Sequence, residues 1–146
     1  MMRMSKQGYD LIKAFEGYFQ RPYLCPAGYP TVGYGHVIVK GEDFSAGLTE
    51  EEANDLLHKD MFSYEQAVLR LIRVPLTQSQ FDALVSFTYN LGGGALQRST
   101  LRQKINRGEH EDVPVEMLKW IWAGGRKLKG LLRRRQAEGV LYAKKE

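Results

Sequence analysis

The spacing of hydrophobic and polar positions changes character twice along this chain. Near the start, Leu11, Ile12 and Phe15 share one side of a short helix that Ser5 is placed to cap and Gly17 to end. Residues 18–47 then lose helical period and become rich in Gly, Pro, Tyr and β-branched side chains. That pattern predicts small antiparallel strands at about 23–25, 30–34 and 37–40, joined by tight turns. Helical period returns at residue 48. Leu48-Thr49-Glu50-Glu51-Glu52 reads as a capping box with Leu48 at the staple position. Ala53, Leu56, Leu57, Met61, Tyr64, Val68 and Leu71 carry the apolar face onward to about residue 73, before Pro75. Thr77-Gln78-Ser79-Gln80 is a second capping box, and its helix runs through Phe81, Leu84, Val85, Thr88 and Leu91 to Gly92-Gly93-Gly94. Shorter helices are predicted at 100–107 and 114–122, and a basic helix at about 129–143 after Gly124-Gly125. The fold class is therefore α+β and mostly helical, with a small N-terminal sheet followed by a helical body. A cleft between two such lobes would be a natural ligand site.

Composition narrows the chemistry. At 146 residues, with 43% hydrophobic and 26% charged side chains, the chain suits one folded domain and not a disordered segment. One cysteine excludes an internal disulfide framework and a multi-cysteine zinc site. His36, His58 and His110 are scattered, so no metal and no cofactor is expected. No run of about 18 apolar residues is long enough to span a bilayer. Lys6, Asp10 and Lys13 break any signal-peptide core near the N-terminus, so synthesis in the cytosol is expected, with another protein opening the membrane. Charge is uneven: residues 117–146 hold nine basic and two acidic residues, a net +7, whereas residues 1–116 hold twelve and fifteen, a net −3. Such a tail can attract nucleic acid, anionic lipid or an acidic wall polymer, or can simply be a solvated helix face.

Glu16 ends the apolar face of the first helix, where a carboxyl group is partly shielded from water, a setting that suits a general acid. Thr31-Val32-Gly33-Tyr34-Gly35-His36 has glycines that let a ligand or another strand approach closely, but it lacks the third glycine and following helix of a dinucleotide site. Cys25 with His36 could suggest a thiol hydrolase, yet Cys25 adjoins Pro26 and no helix N-terminus is predicted there to favour a thiolate.

Taken together, Phe15-Glu16-Gly17, Tyr23, Cys25, Gly28 and Thr31-Val32-Gly33-Tyr34-Gly35-His36 closely resemble the phage-type lysozymes, or endolysins. In that family a Glu is followed after eight residues by Asp or Cys, and after five more by Thr. Glu16, Cys25 and Thr31 fit both spacings. The resemblance continues through Leu76-Thr77-Gln78-Ser79-Gln80-Phe81-Asp82-Ala83-Leu84, Tyr89-Asn90-Leu91-Gly92 and Ser99-Thr100-Leu101. It reaches Trp120, Ala123-Gly124-Gly125, Gly130-Leu131 and Arg133-Arg134-Arg135-Gln136-Ala137-Glu138, and so covers nearly the whole chain.

The resemblance implies a single lysozyme-like domain over residues 1–146, with a β-lobe at about 17–47, a linking helix at about 50–73 and a helical lobe at about 76–146. It implies hydrolysis of the β-1,4 bond between N-acetylmuramic acid and N-acetylglucosamine in peptidoglycan, leading to host cell lysis. Glu16 would protonate the glycosidic oxygen, and Cys25 and Thr31 would hold or activate water on the other face of the sugar. Cys25 departs from the commoner Asp, and a thiol carries no charge at neutral pH unless its environment lowers its pKa. Tyr89 and Asn90 match a stretch that lines the saccharide cleft, although Tyr89 could equally belong to the core. Thr100 would contact the glycan. His36 would be structural, paired with an acidic residue. One of Trp120 and Trp122 would be core packing, and one of Arg133, Arg134 and Arg135 would pair with an acidic group. The partners expected are peptidoglycan and, through the basic C-terminal helix, anionic envelope polymers. Nucleic acid is not expected, and the chain is read as a monomer. Two other classes stay open: a lytic transglycosylase, which needs only the acid, and a wall-binding module without catalysis.

Overall fold

Both capping boxes form as the sequence requires. Glu52 accepts from the Thr49 amide at 2.9 Å while the Glu52 amide donates to the Thr49 hydroxyl at 3.1 Å. Thr77 and Gln80 make the same reciprocal pair at 2.9 and 3.1 Å. Each pair satisfies orphan amides of a first turn, which fixes where the helix begins. The computed structural model describes all of residues 1–146, and the chain divides into two compact units: Ile12–Phe62, and Met1–Leu11 together with Ser63–Glu146. Helices α1 (Lys6–Glu16) and α2 (Glu50–Leu71) each contribute to both units.

Unit Ile12–Phe62 contains a three-stranded antiparallel sheet in the order β1 (Phe19–Leu24), β2 (Pro30–Gly33), β3 (His36–Val37). Tyr23 lies opposite Thr31, Leu24 opposite Pro30, and Thr31 opposite Val37. β1 begins four residues before the predicted strand. Most of it is exposed and its register shifts between Phe19 and Tyr23, so no burial alternation announces it. Ile12, Val32, Tyr34, Leu48, Ala53, Leu57 and Met61 form the buried apolar set, with Leu48 in the staple position as expected.

The other unit is helical. α3 (Gln78–Leu91) and α7 (Lys129–Tyr142) pack on one another, with α4 (Gly93–Gln97) against α3, α6 (Val113–Met117) against α7, and α5 (Thr100–Asn106) against α4 and α6. Phe81, Leu84, Val85, Phe87, Leu96, Leu101, Ile105 and Met117 are fully buried. Three expectations change here. Ser5 does not spend its hydroxyl on capping α1; hydroxyl and amide both donate to the Asp82 carboxylate, a stronger acceptor than a neutral partner would be. The glycine run at 92–94 ends α3 but also begins α4, because the Gly92 amide closes α3 on the Thr88 carbonyl and the next two glycines resume helix. Finally, the helix expected over 114–122 stops at Met117. Trp122–Ala123 and Arg126–Lys127 form a hairpin, β4 and β5. Gly124 and Gly125 have φ of 57° and 76°, the left-handed pair that a two-residue hairpin turn demands.

Candidate active site

Three of the expected residues, Glu16, Cys25 and Thr31, belong to unit Ile12–Phe62 and are positioned by backbone features. Glu16 is the last residue of α1, and the Gly17 amide closes the helix on the Lys13 carbonyl at 2.9 Å. The Glu16 residue is half-buried. β1 and β2 are joined by a short loop. The Gly28 amide donates to the Cys25 carbonyl at 2.8 Å, and the Cys25 amide donates to the Tyr29 carbonyl at 2.9 Å. Pro26 supplies the fixed φ that a tight turn wants after its first residue. Gly28, at φ 87°, turns the chain back where a side chain would strain it.

This loop answers the question the sequence left open about Cys25. Its sulfur is hydrogen-bonded by the Tyr29 amide most strongly, then by the Ala27 amide, the Thr31 hydroxyl and the Gly28 amide. Against a smaller desolvation effect, these donors pull the thiol below its ordinary range. A helix N-terminus is not needed, because successive amides of one tight turn do the same work. Thr31 is buried, and its hydroxyl, whose single proton serves one acceptor at a time, also lies 2.9 Å from the Tyr29 carbonyl. Cys25 and Thr31 are thus brought together directly.

Sequence reasoning passed over Tyr23. It is half-buried, its ring stacks on Phe19 with centroids 4.2 Å apart, and it faces Thr31 across the ladder. Its phenol is pushed up first by burial, then by the Glu16 carboxylate and the Cys25 sulfur. One tyrosine therefore feels both the acid and the thiol. The signal available was spacing alone: Tyr23 stands two residues before Cys25, next to the end of β1.

His36 is structural, as expected. Its Nδ1 lies 2.6 Å from Asp60 and its Nε2 2.9 Å from Glu42, with the Phe44 ring edge-on at 5.6 Å. Burial opposes the charged form, but hydrogen bonds to Glu42 and Asp60 outweigh it and raise the imidazole above its usual value. No group of three or more His, Cys, Asp or Glu is arranged to hold a metal.

Tyr89, Asn90 and Thr100 lie in the helical unit. Tyr89 is half-buried and meets Tyr64 edge-on at 5.1 Å. The Asn90 side-chain oxygen accepts from Arg135 at 2.8 Å, which aims its amide. Thr100 is exposed at the first turn of α5, and the Ser99 hydroxyl caps that helix by accepting from the Arg102 amide at 3.0 Å.

The basic C-terminal helix needs correction. Arg134 and Arg135 are buried and share Glu138, which is also buried: Arg135 Nε donates at 2.7 Å and Arg134 Nε at 3.3 Å, with Ser86 Oγ adding a third bond at 2.6 Å. Burial lowers the Arg135 guanidinium from its ordinary value, against the pull of Glu138. These two charges serve the interior, so seven of the nine basic residues of 117–146 are exposed: Lys119, Lys144, Lys145 and a group of four, Arg126, Lys127, Lys129 and Arg133. The four sit on the β4–β5 hairpin and the start of α7. Trp120 is the packed tryptophan, edge-on to Phe87 at 5.7 Å, whereas Trp122 is exposed under the Lys127 ammonium at 5.3 Å.

Comparison with known proteins identifies the family. The family profile described as phage lysozyme matches residues 13–138. The endolysin of Bacillus phage B103 is 43% identical over 145 residues, 97% of this chain but 54% of its own length, so this chain spans about half of that relative. The endolysin of Acyrthosiphon pisum secondary endosymbiont phage 1 is 38% identical over 147 residues, covering 97% of this chain and 98% of its own. Among solved structures, the muramidase domain of SpmX from Asticaccaulis excentricus superposes with a TM-score of 0.90 at 36% identity, over 99% of this chain and 100% of that one.

Proposed function

This chain belongs to the phage lysozyme family, and on that footing we propose that it hydrolyses the β-1,4 bond between N-acetylmuramic acid and N-acetylglucosamine in bacterial peptidoglycan. The observation that carries the reading is the shared setting of Glu16, Cys25 and Thr31. The acid stands at a helix end and the thiol is tied to the threonine across one hairpin, with Tyr23 in electrostatic reach of both Glu16 and Cys25. Glu16 gives its proton to the glycosidic oxygen as the bond to the sugar breaks. Cys25 and Thr31 hold the incoming water, and the thiolate form accepts its proton more readily than an ordinary thiol would at neutral pH. Asn90, aimed by Arg135, offers its amide to the N-acetyl and hydroxyl groups of the glycan, with Tyr89 and Thr100 contributing contact.

The enzyme acts as a monomer on the wall of the host after the membrane has been permeabilised. Attachment to anionic envelope polymers is carried by Arg126, Lys127, Lys129 and Arg133, in place of the buried Arg134 and Arg135. That attachment weakens as salt rises, because exposed charges are screened within about 8 Å at physiological ionic strength.

The test is digestion of purified peptidoglycan with mass analysis of the fragments. Wild type is expected to release reducing fragments that have gained one water. Glu16→Gln is expected to keep the fold and lose about 10²–10⁴-fold in turnover. Products lacking that water would make the enzyme a transglycosylase, and normal turnover by Glu16→Gln would remove the acid from the scheme.

A further inference from the structure

The hairpin that carries Cys25 is apolar where it is exposed. From Pro22 to Gly35 the chain has no charged side chain, and Leu24, Pro26, Ala27, Tyr29 and Pro30 are all exposed around Cys25. Single exposed apolar residues need no explanation, but a continuous run of them beside reactive groups marks a contact surface. Tyr29 stands apart within it. Its main chain is committed three times: the amide donates to the Cys25 sulfur, and the carbonyl accepts from the Cys25 amide at 2.9 Å and lies 2.9 Å from the Thr31 hydroxyl. Its side chain is 59% exposed, and neither ring nor hydroxyl has a partner in the chain. Other tyrosines of the same unit do bond: the Tyr18 hydroxyl donates to the Leu48 carbonyl, and the Tyr34 hydroxyl donates to Glu50 at 3.0 Å. Cys25 precedes Pro26 and Tyr29 precedes Pro30, which confines both to extended backbone and carries the free ring on a stiff turn.

We infer that Tyr29 is a glycan-contact residue, whose ring packs flat on one pyranose ring of the strand. This rests on the glycan-cleaving function proposed above. The occupant follows from the chemistry of the patch. Pyranose rings and N-acetyl methyl groups offer uncharged C–H faces that suit an aromatic ring, and a tyrosine supplies wide contact area at little cost in side-chain freedom. A surface without a cation does not suit anionic lipid or an acidic polymer, which basic side chains attract. Continuity with the proposed site supplies the second argument. The residue that meets the sugar is the one whose main chain holds Cys25 and borders Thr31, so a seated sugar covers the thiol and stiffens the turn that holds it.

The test is Tyr29→Ala, which removes the ring and leaves every main-chain donor in place. The pH midpoint for alkylation of unliganded Cys25 by iodoacetamide is therefore expected to stay at the wild-type value. KM for peptidoglycan is expected to rise about tenfold with kcat little changed, the scale of one apolar side chain withdrawn from a contact. A second readout requires no catalysis. Chitohexaose, an uncharged oligomer of N-acetylglucosamine, should slow alkylation of Cys25 in the wild type, and about tenfold more of it should be needed in Tyr29→Ala. Tyr29→Phe keeps the ring and should recover the protection, whereas Tyr29→Leu, apolar but not flat, should not. Absence of protection in the wild type, or equal protection in wild type and Tyr29→Ala, would overturn the inference. So would Tyr29-dependent sedimentation with phosphatidylglycerol vesicles, or a Tyr29-dependent dimer, if protection by chitohexaose did not depend on Tyr29. The two failures are separable: a wild type that leaves peptidoglycan uncut defeats the proposed reaction, while the protection series still decides the role of Tyr29.

Discussion

Cys25 and Arg135 are both polar groups held by several hydrogen bonds, and they are supported in opposite ways. The thiol sits in a short hairpin of a small sheet, surrounded by largely exposed residues, and is held by amides of its own turn. The guanidinium lies wholly inside a helical unit and is held by Glu138 one turn along its own helix and, from further away in sequence, by the Asn90 side chain and the Trp120 carbonyl. A group supported by its own loop can be retuned by one substitution without disturbing the fold. A group supported from afar cannot, because its partners were desolvated to meet it. The contrast assigns chemistry to the exposed hairpin and architecture to the buried charges, although both read in sequence as clusters of reactive or charged residues.

The contrast breaks most visibly at Glu138. Glu138→Ala leaves Arg134 and Arg135 buried without their shared carboxylate and is expected to cost about 3–5 kcal/mol in denaturant unfolding. A loss under about 1 kcal/mol would mean that the network is ornamental and that these arginines can reach water. At Cys25 the expectation reverses. Cys25→Ala should change stability by only about 0.5 kcal/mol, as substitutions outside a core do, yet lower peptidoglycan turnover more than Cys25→Ser does. Cys25→Asp should retain activity with its pH profile moved towards acid, and should resist iodoacetamide. Wild type should react with iodoacetamide at a midpoint below the ordinary thiol value near 8.5, as the turn amides favour the thiolate. Equal lysis by Cys25→Ala at every pH would reduce the residue to packing.

Smaller effects sharpen the same division. Thr49→Ala removes one half of the capping box of α2 and is expected to cost about 1 kcal/mol, read as a lower melting temperature with wild-type turnover. The smallest effect is the titration of His36. Its folded value is raised above the unfolded one, so its ion pairs with Asp60 and Glu42 contribute fully below about pH 6.5. That contribution fades as pH rises through the folded value. The melting temperature of the wild type should therefore decline from mildly acidic to alkaline pH more steeply than that of His36→Asn. Parallel curves for the two proteins would show that the pairing adds nothing to stability.

What could be read in advance follows from how local each determinant is. The capping boxes at Thr49 and Thr77 are short-range rules, and both helices start where those residues stand. The spacing of Glu16, Cys25 and Thr31 was visible because a hairpin turns sequence spacing into proximity. The amides that tune Cys25 were not visible, since every residue carries one and only the turn geometry aligns those of Ala27, Gly28 and Tyr29. One arginine among Arg133, Arg134 and Arg135 was expected to pair with an acidic group; that two of them do so in the interior depends on α3 packing against α7, which no local pattern encodes. The β4–β5 hairpin escaped notice because two-residue strands show no alternation.

The loop between Cys25 and Thr31 has one more consequence, which concerns length and not composition. Thr31 is fixed in the sheet by pairing with Tyr23 on one side and Val37 on the other, whereas Cys25 is held by amides of the turn itself. An inserted residue would be taken up in the turn, leaving Thr31 in register and moving the thiol away from its donors. A single-codon insertion would uncouple the thiol from the threonine while leaving every residue type in place.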